Sequence, residues 1–357
     1  MWGVPLVSIF YFILVNALLP KSFSFYCQTK YARKMPREVR LQLGSREVEH
    51  GVPEHVLIAG AGIIGLSTAY YLQKNHGIQS VTLIDPSGEI APAASGKAGG
   101  FLALDWNDQT YTEQLTRRSF SLHQELADAL GAFSIQYRRL TCAAVNVNPQ
   151  VKMARPKGKK MQGVQWAEQV ENNAVVGVRP LGDEDSIAQV HPKKLCEQMW
   201  NEICKNVPNA NIVKGSVTGA VHNEEDGKLV GGQLSDGTIV EGDALLYSCG
   251  PWTADFMTGV KYHSVVVPTE SVLSQCVFFS GCGDPEIYVR PDSTAYCTGF
   301  PEPERRVTER PGEESISPDK VSTILQSVRD ACGYKEEEQG INDVTPGGKG
   351  LPALQTT

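Results

Sequence analysis

The run HVLIAGAGIIGLSTAYYL at residues 55–72, followed by VTLID at 81–85, constrains this chain more than any other stretch. HVLIAG is continuously apolar, as a strand covered on both faces is, and IIGLSTAYYLQKN has the apolar spacing of a buried helix. Between them Gly60, Gly62 and Gly65 form a GxGxxG. Gly60 permits the tight turn, Gly62 lets the backbone approach a pyrophosphate, and Gly65 allows the helix to pack closely on the strand. Ala61, Ile63 and Ile64 complete the loop at the helix N-terminus, where amide groups and the helix dipole receive phosphate charge. The next strand, SVTLID, ends in Asp85, where a carboxylate accepts hydrogen bonds from ribose hydroxyls. The same acid disfavours a 2′-phosphate, so NADP is not expected. GxGxxG alone is a weak signal, but strand, loop, helix, strand and acid in this order read as a dinucleotide site.

FAD and NAD share that unit, and the following residues separate them. After Asp85 comes PSGEIAPAASGKAGGFLALDW, a long small-residue loop holding Ala94, Ser95, Gly96, Lys97, Ala98, Gly99 and Gly100. A nicotinamide dehydrogenase would proceed quickly to another helix and strand. A second glycine-rich loop instead lets backbone amides lie along an extended ligand at the sheet edge. Farther on, GKLVGGQLSDGTIVEGDALLYSCG has turn signals at Asp226-Gly227 and Asp236-Gly237 between short alternating runs, which predicts a β-meander and a buried return strand. VVVPTESVLSQCVFFS and EIYVRPDSTAYCTGF read as antiparallel strands of a substrate-side sheet. TEQLTRRSFSLHQELADALG and PKKLCEQMWNEICKN read as helices, with His191 at the start of the second.

On these residues the sequence resembles the FAD-dependent oxidoreductases of the D-amino-acid oxidase type (the DAO family), which include sarcosine oxidase, glycine oxidase and related amine dehydrogenases. The matching motifs are VLIAGAGIIGLSTAYYL, VTLID, ASGKAGGFLA, QVHPKKLCEQM, GSVTGAVHNEEDGKLVGGQLSDGTIVEGDALLYSCGPWT and YVRPDSTAYCTGF, spread over roughly residues 55–300. The resemblance implies an α/β fold in which a Rossmann-type FAD-binding domain is interleaved with an antiparallel-sheet substrate domain. It implies FAD-binding segments at 53–136 and 185–255, substrate segments at 137–184 and 256–335, an N-terminal extension at 1–52 and an atypical tail at 336–357. It places Ala94, Ser95, Gly96, Lys97, Gly99 and Gly100 near the flavin, Val217 where a strand backbone holds the adenine side, and Cys249 and Gly250 at the cofactor. The implied activity is oxidation of a small amine or amino acid by hydride transfer to FAD. Such chemistry needs positioning more than acid–base machinery. A substrate carboxylate calls for a forked arginine, for which Arg290 is the candidate, with Tyr288, His263 and Lys97 as further pocket candidates.

The rest of the chain bounds these readings. A net charge of −7 over 357 residues argues against a nucleic-acid surface, and the basic run KMARPKGKK reads as a solvated loop. Nine cysteines without CxxC pairs indicate neither a disulfide framework nor a metal site; Cys249 lies in an apolar run and reads as a small buried hydrophobe. MWGVPLVSIFYFILVNALLP is apolar, and Met1 to Arg37 contains basic but no acidic residues, a pattern open to a signal anchor, a cleaved signal, an organellar presequence or an upstream extension with Met35 as the working start. Membrane association is therefore expected only through residues 1–20, and the folded domain is expected inside the cell, in the cytoplasm or an organelle. The family ends in a Gly-rich segment over the flavin's pyrimidine edge and an apolar helix; EEEQGINDVTPGGKGLPALQTT does not match it. This leaves two alternatives to the enzyme reading: a truncated or inactive flavin-fold protein with a regulatory or interaction role, and an NAD-dependent dehydrogenase.

Overall fold

The computed structural model describes residues 52–151, 160–161, 163–168, 174–254, 257–311, 313–332 and 353–356. The apolar N-terminal run, nearly all of the basic segment and residues 333–352 lie outside the described residues.

From the first strand the chain runs β1 Val56–Ala59, α1 Ile63–His76, β2 Ser80–Asp85, α2 Ala94–Lys97, β3 Phe101–Ala103 and α3 Glu113–Leu130. A first excursion follows with β4 Arg138–Arg139, β5 Thr141–Asn148, β6 Lys160–Met161, β7 Val164–Glu168, β8 Ala174–Gly182 and β9 Ile187–Gln189. The chain then returns through α4 Pro192–Asn206, β10 Asn209–Lys214, β11 Val217–His222, β12 Leu229–Leu234, β13 Ile239–Glu241 and β14 Ala244–Tyr247. A second excursion comprises β15 Thr258–Gly259, β16 His263–Pro268, β17 Gln275–Ser280, β18 Glu286–Val289, β19 Thr294–Gly299, β20 Arg305–Arg306, α5 Pro318–Cys332 and β21 Ala353–Thr356.

The nucleotide half is a parallel sheet in the order β10-β2-β1-β14. β1 is central and buried throughout, which is why it reads as an unbroken apolar run. Its alternate side chains go opposite ways. Val56 and Ile58 join α1 and α4 in a cluster with Leu66, Leu195 and Met199, whereas Leu57 meets Ile84 and Leu234 beneath the meander β11-β12-β13. Burying one such leucine stabilises by about 1.5–3 kcal/mol. α1 stops where Gly77, in the left-handed region, donates its N–H to Gln73 O. α4 begins with Pro192 at its first turn and His191 as N-cap, the His191 side chain accepting from the Lys194 N–H. Both predicted hairpin turns form, with positive φ at Gly227 and Gly237.

The second half is a seven-stranded sheet in the order β21-β16-β19-β18-β17-β5-β8. One pairing departs from the antiparallel expectation: β5 and β17 are parallel, with Cys142 opposite Cys276. These strands belong to the two separate excursions, so no hairpin turn dictates their relative direction. Register gives the sheet two unlike faces. Val265, Val277, Ile287, Val289 and Cys297 pack with Ile324, Leu325 and Val328 of α5. The opposite face carries Ser264, Phe278, Glu286, Tyr288, Tyr296 and Thr298 and looks toward β3, where Phe101 stacks on Tyr288.

Candidate functional site

The glycine loop is a backbone cradle. At Gly60 φ is +104°, and a Cβ there would stand 2.4 Å from Ser248 O at the end of β14. At Gly65 it would stand 2.4 Å from Gly60 O, so α1 lies against β1 as the motif requires. The Ile63 N–H is donated to Ser95 Oγ at 3.1 Å, and the next two amides of α1 have no intrahelical carbonyl within reach. No acidic residue occupies this first turn, which leaves the positive helix end to an anion. Ser95, from the second glycine loop, therefore meets Gly62 and Ile63 at the mouth of the helix; residues Ala94–Lys97 of that loop form the short helical turn α2 rather than open coil. Lys97 is half-buried at the end of this turn.

Asp85 is 6 % exposed and held in place by three donors: Ala61 N–H at 3.1 Å to Oδ2, and Ser87 N–H at 3.0 Å and Ser87 Oγ at 2.6 Å to Oδ1. Its carboxylate is aimed at the glycine loop and retains acceptor capacity for a ribose diol. On the outer side Val217 opens β11 beside a register shift between Val217 and Gly219, and packs with Leu57, Ile84 and Leu234. Cys249 is half-buried beyond β14, its Sγ 3.4 Å from Ala59 O, and Gly250 is exposed with a positive φ of 57°. Cys249 is thus at the rim of the loop rather than inside a strand.

The two halves meet at Gly99, where a Cβ would lie 2.2 Å from Tyr288 Cδ2 and 3.1 Å from Tyr296 Cε1. Tyr288 is sandwiched there, 5.5 Å from Phe101 and 5.8 Å from Tyr296 in near-parallel stacks, and its hydroxyl donates to Glu286. Burial pushes the Tyr288 hydroxyl well above its ordinary range, so it stays protonated. Arg290 is not a surface strand residue. It is 4 % exposed, its guanidinium lies 5.4 Å over the Tyr296 ring, and Nε has no hydrogen-bond partner among the described residues. Asp292, whose charge acts on Arg290, is itself hydrogen-bonded to Gln136 and Thr294. On β9, opposite Phe101 and Arg138, the Gln189 side chain has Oε1 buried and without a partner among the described residues. Orphaned donors and acceptors in a buried seam are costly unless a bound group satisfies them.

His263 does not reach this seam. It faces α5 at 1 % exposure, accepting the Ser317 N–H at Nε2 (3.0 Å) with Nδ1 3.4 Å from Glu302 Oε1. Strand parity sends it to the opposite face from Ser264. Glu286 was not singled out from sequence: strand alternation puts it on the face of Tyr288, but only the β18 and β19 register places it opposite Thr298.

The family model for FAD dependent oxidoreductases (DAO) matches residues 55–352. The chain belongs to that family. Among curated relatives, a putative oxidoreductase of Schizosaccharomyces pombe is 29% identical over 303 residues, covering 76% of each chain. The 4-methylaminobutanoate oxidase (formaldehyde-forming) of Paenarthrobacter nicotinovorans is 25% identical over 259 residues, 64% of this chain but 29% of that protein. Among solved structures, glycine oxidase from Bacillus cereus superposes with a TM-score of 0.57 at 19% identity, covering 78% of this chain and 80% of that one. That likeness establishes the DAO fold. Family membership makes FAD the cofactor and sets aside the nicotinamide alternative, and the cradle described above fits it: amides without intrahelical partners face the pyrophosphate position, Asp85 the ribose, and the orphaned Gln189 and Arg290 atoms the seam beyond Gly99.

Proposed function

We propose that this DAO-family oxidoreductase oxidises a small amine or amino acid. The observation that carries the reading is the junction at Gly99, where the loop that adjoins the backbone cradle packs directly against the polar, aromatic face of the second sheet. The glycine oxidase and the 4-methylaminobutanoate oxidase that resemble it take substrates of that class by name. Bound FAD supplies the hydride acceptor. Gly60, Ala61, Gly62, Ile63, Ile64 and Gly65 hold its pyrophosphate, Asp85 its ribose, and the Val217 backbone its adenine side. Arg290, a buried cation with no carboxylate within ion-pair distance among the described residues, holds the substrate carboxylate. Tyr288 and Tyr296 exclude water beside it, and Lys97 contributes positive charge from the second loop.

The test is the visible spectrum of the purified protein with and without added FAD, followed by anaerobic titration with glycine, N-methylglycine and 4-methylaminobutanoate. A bound-flavin spectrum that bleaches with at least one of these is the expected result. Failure to take up FAD, or a flavin that none of them reduces, defeats the reading.

A further inference from the structure

Glu286 occupies an unusual position for an acid. It lies on the face of β18 that looks toward the nucleotide half, half-buried, between Phe278 on β17 and Thr298 on β19. The one hydrogen bond of its carboxylate among the described residues comes from the Tyr288 hydroxyl, and no cation there lies within ion-pair distance. Two residues farther along the same face the sheet is closed: Tyr288, Tyr296 and Arg290 are all at most 6 % exposed. At the register of Glu286 the β16 and β19 side of the face, Ser264 and Thr298, is also buried, whereas Phe278, Trp106 and Tyr262 on its other flanks are each half-buried. The Trp106 and Phe278 rings lie 5.3 Å apart, and Phe278 is 5.7 Å from Tyr288. A carboxylate beside aromatic faces, with no resident cation, is a recognition site for an organic ammonium.

We propose that Glu286 binds the substrate ammonium and accepts its proton, which deepens the amine-oxidation reading above and rests on it. An ammonium has no lone pair and cannot release hydride from its α-carbon. In the step assigned here the N–H bond of the ammonium breaks and an O–H bond forms on a Glu286 carboxyl oxygen. The freed lone pair can then form the C=N bond as hydride leaves the α-carbon with its electron pair, for which FAD would supply the two-electron acceptor; the product departs as an iminium. The Tyr288 hydroxyl, hydrogen-bonded to the acceptor, positions it. The titratable groups facing Glu286 are Tyr288 on its own strand, Tyr262 leading into β16 and Cys142 on β5, and burial holds all three protonated and neutral. The Glu286 carboxyl is pushed up from its ordinary range by its own burial, which strengthens it as a proton acceptor.

The experiment compares wild type with Glu286→Gln and Glu286→Asp, each loaded with FAD and checked for flavin content and thermal midpoint. With the best substrate of the three amines above, Glu286→Gln should lower kcat/KM at neutral pH by about 10²–10⁴-fold. The deficit should close by about tenfold per pH unit as the solution itself deprotonates the amine, and Glu286→Asp should recover part of it. Calorimetry with 4-(trimethylammonio)butanoate, which has a fixed charge and no proton to lose, should show wild-type binding weakened at least about tenfold in Glu286→Gln. Wild-type kcat/KM and ammonium affinity retained in Glu286→Gln would overturn the assignment while leaving amine oxidation standing. A wild-type flavin that no amine reduces would overturn both. Should Glu286→Gln fail to fold, the wild-type profile decides: a kcat/KM that follows only the amine's own ionisation removes Glu286 from the reaction.

Discussion

The nucleotide cradle and the substrate face lie on either side of Gly99 and are made from different materials. In the cradle, function resides in backbone: N–H groups at the start of α1, carbonyls packed to within touching distance, and glycines whose missing side chains are the feature that matters. On the face of the second sheet the proposed roles fall to side chains: Glu286, Tyr288, Arg290 and Tyr296 come from two antiparallel strands and the residue that follows one of them, whose backbone would be the same with other residues. The cradle therefore tolerates almost no change at a few positions and nearly any change at others. The substrate face can change specificity by substitution without altering its scaffold, as a fold serving many chemistries requires.

The sharpest way to break this contrast is to put a side chain into the cradle. Gly60→Val combines a disfavoured φ with a collision against Ser248 O, and neither backbone segment can move without opening β1 from β14. It should cost about 3 kcal/mol or more and abolish FAD uptake, seen as a lowered denaturation midpoint and a colourless protein. Gly99 tests whether the junction belongs to one material or both. Its Cβ would strike the Tyr288 ring, which Phe101 and Tyr296 keep from rotating away. Gly99→Ala should cost about 2 kcal/mol in the wild type and much less in a Tyr288→Ala background; an additive double-mutant cycle would show that the clash is relieved elsewhere.

A smaller effect should come from acid. His191 is lowered to about 4, chiefly by burial and then by Arg290, and burial also lowers His123 and His263. A lowered folded-state value means that the unfolded chain takes the proton first. Stability is then fully present above the unfolded value near 6.5 and falls as pH drops through the interval toward 4. His191→Asn preserves an N-cap but cannot titrate, so its stability should fall less steeply over that interval, measured by denaturant midpoints at each pH. Smallest of all should be Val217→Ala. It removes apolar contact with Leu57, Ile84 and Leu234 and should cost about 1 kcal/mol of stability, yet alter FAD affinity by less than about twofold if the adenine side is held by backbone alone. A large loss of affinity would move that position from one material to the other.

The same difference decides what could be read in the sequence. Gly60, Gly62, Gly65 and Asp85 fall at spacings set by one local supersecondary unit, so they are visible in a single stretch. The pairing of Tyr288 with Tyr296 and of Glu286 with Thr298 depends on register between strands, and which of the alternating residues His263 and Ser264 meets α5 depends on how that helix packs on the sheet. The burial of Arg290 depends on a ring across the strand pair. α5 was locally signalled by Ser317-Pro318-Asp319 and by Val321, Ile324, Leu325 and Val328 at helical spacing, but the charged, proline-bearing segment before it masked the pattern.

The interleaving of the two halves has a consequence in time as well as in space. β1 emerges first, yet its neighbour β14 pairs Val56 with Ala244, and β5 must hold Cys142 ready for Cys276. At about 5–20 residues per second, the first strand waits roughly 10–40 s on the ribosome with one edge bare. Neither half can be completed as a contiguous segment, so a nascent chain cannot finish one domain and start the next. Such long-range parallel pairings slow folding and prolong the exposure of sticky edges. The architecture that brings a glycine loop against Tyr288 thus also leaves the unfinished polypeptide with unpaired strand edges for most of its synthesis.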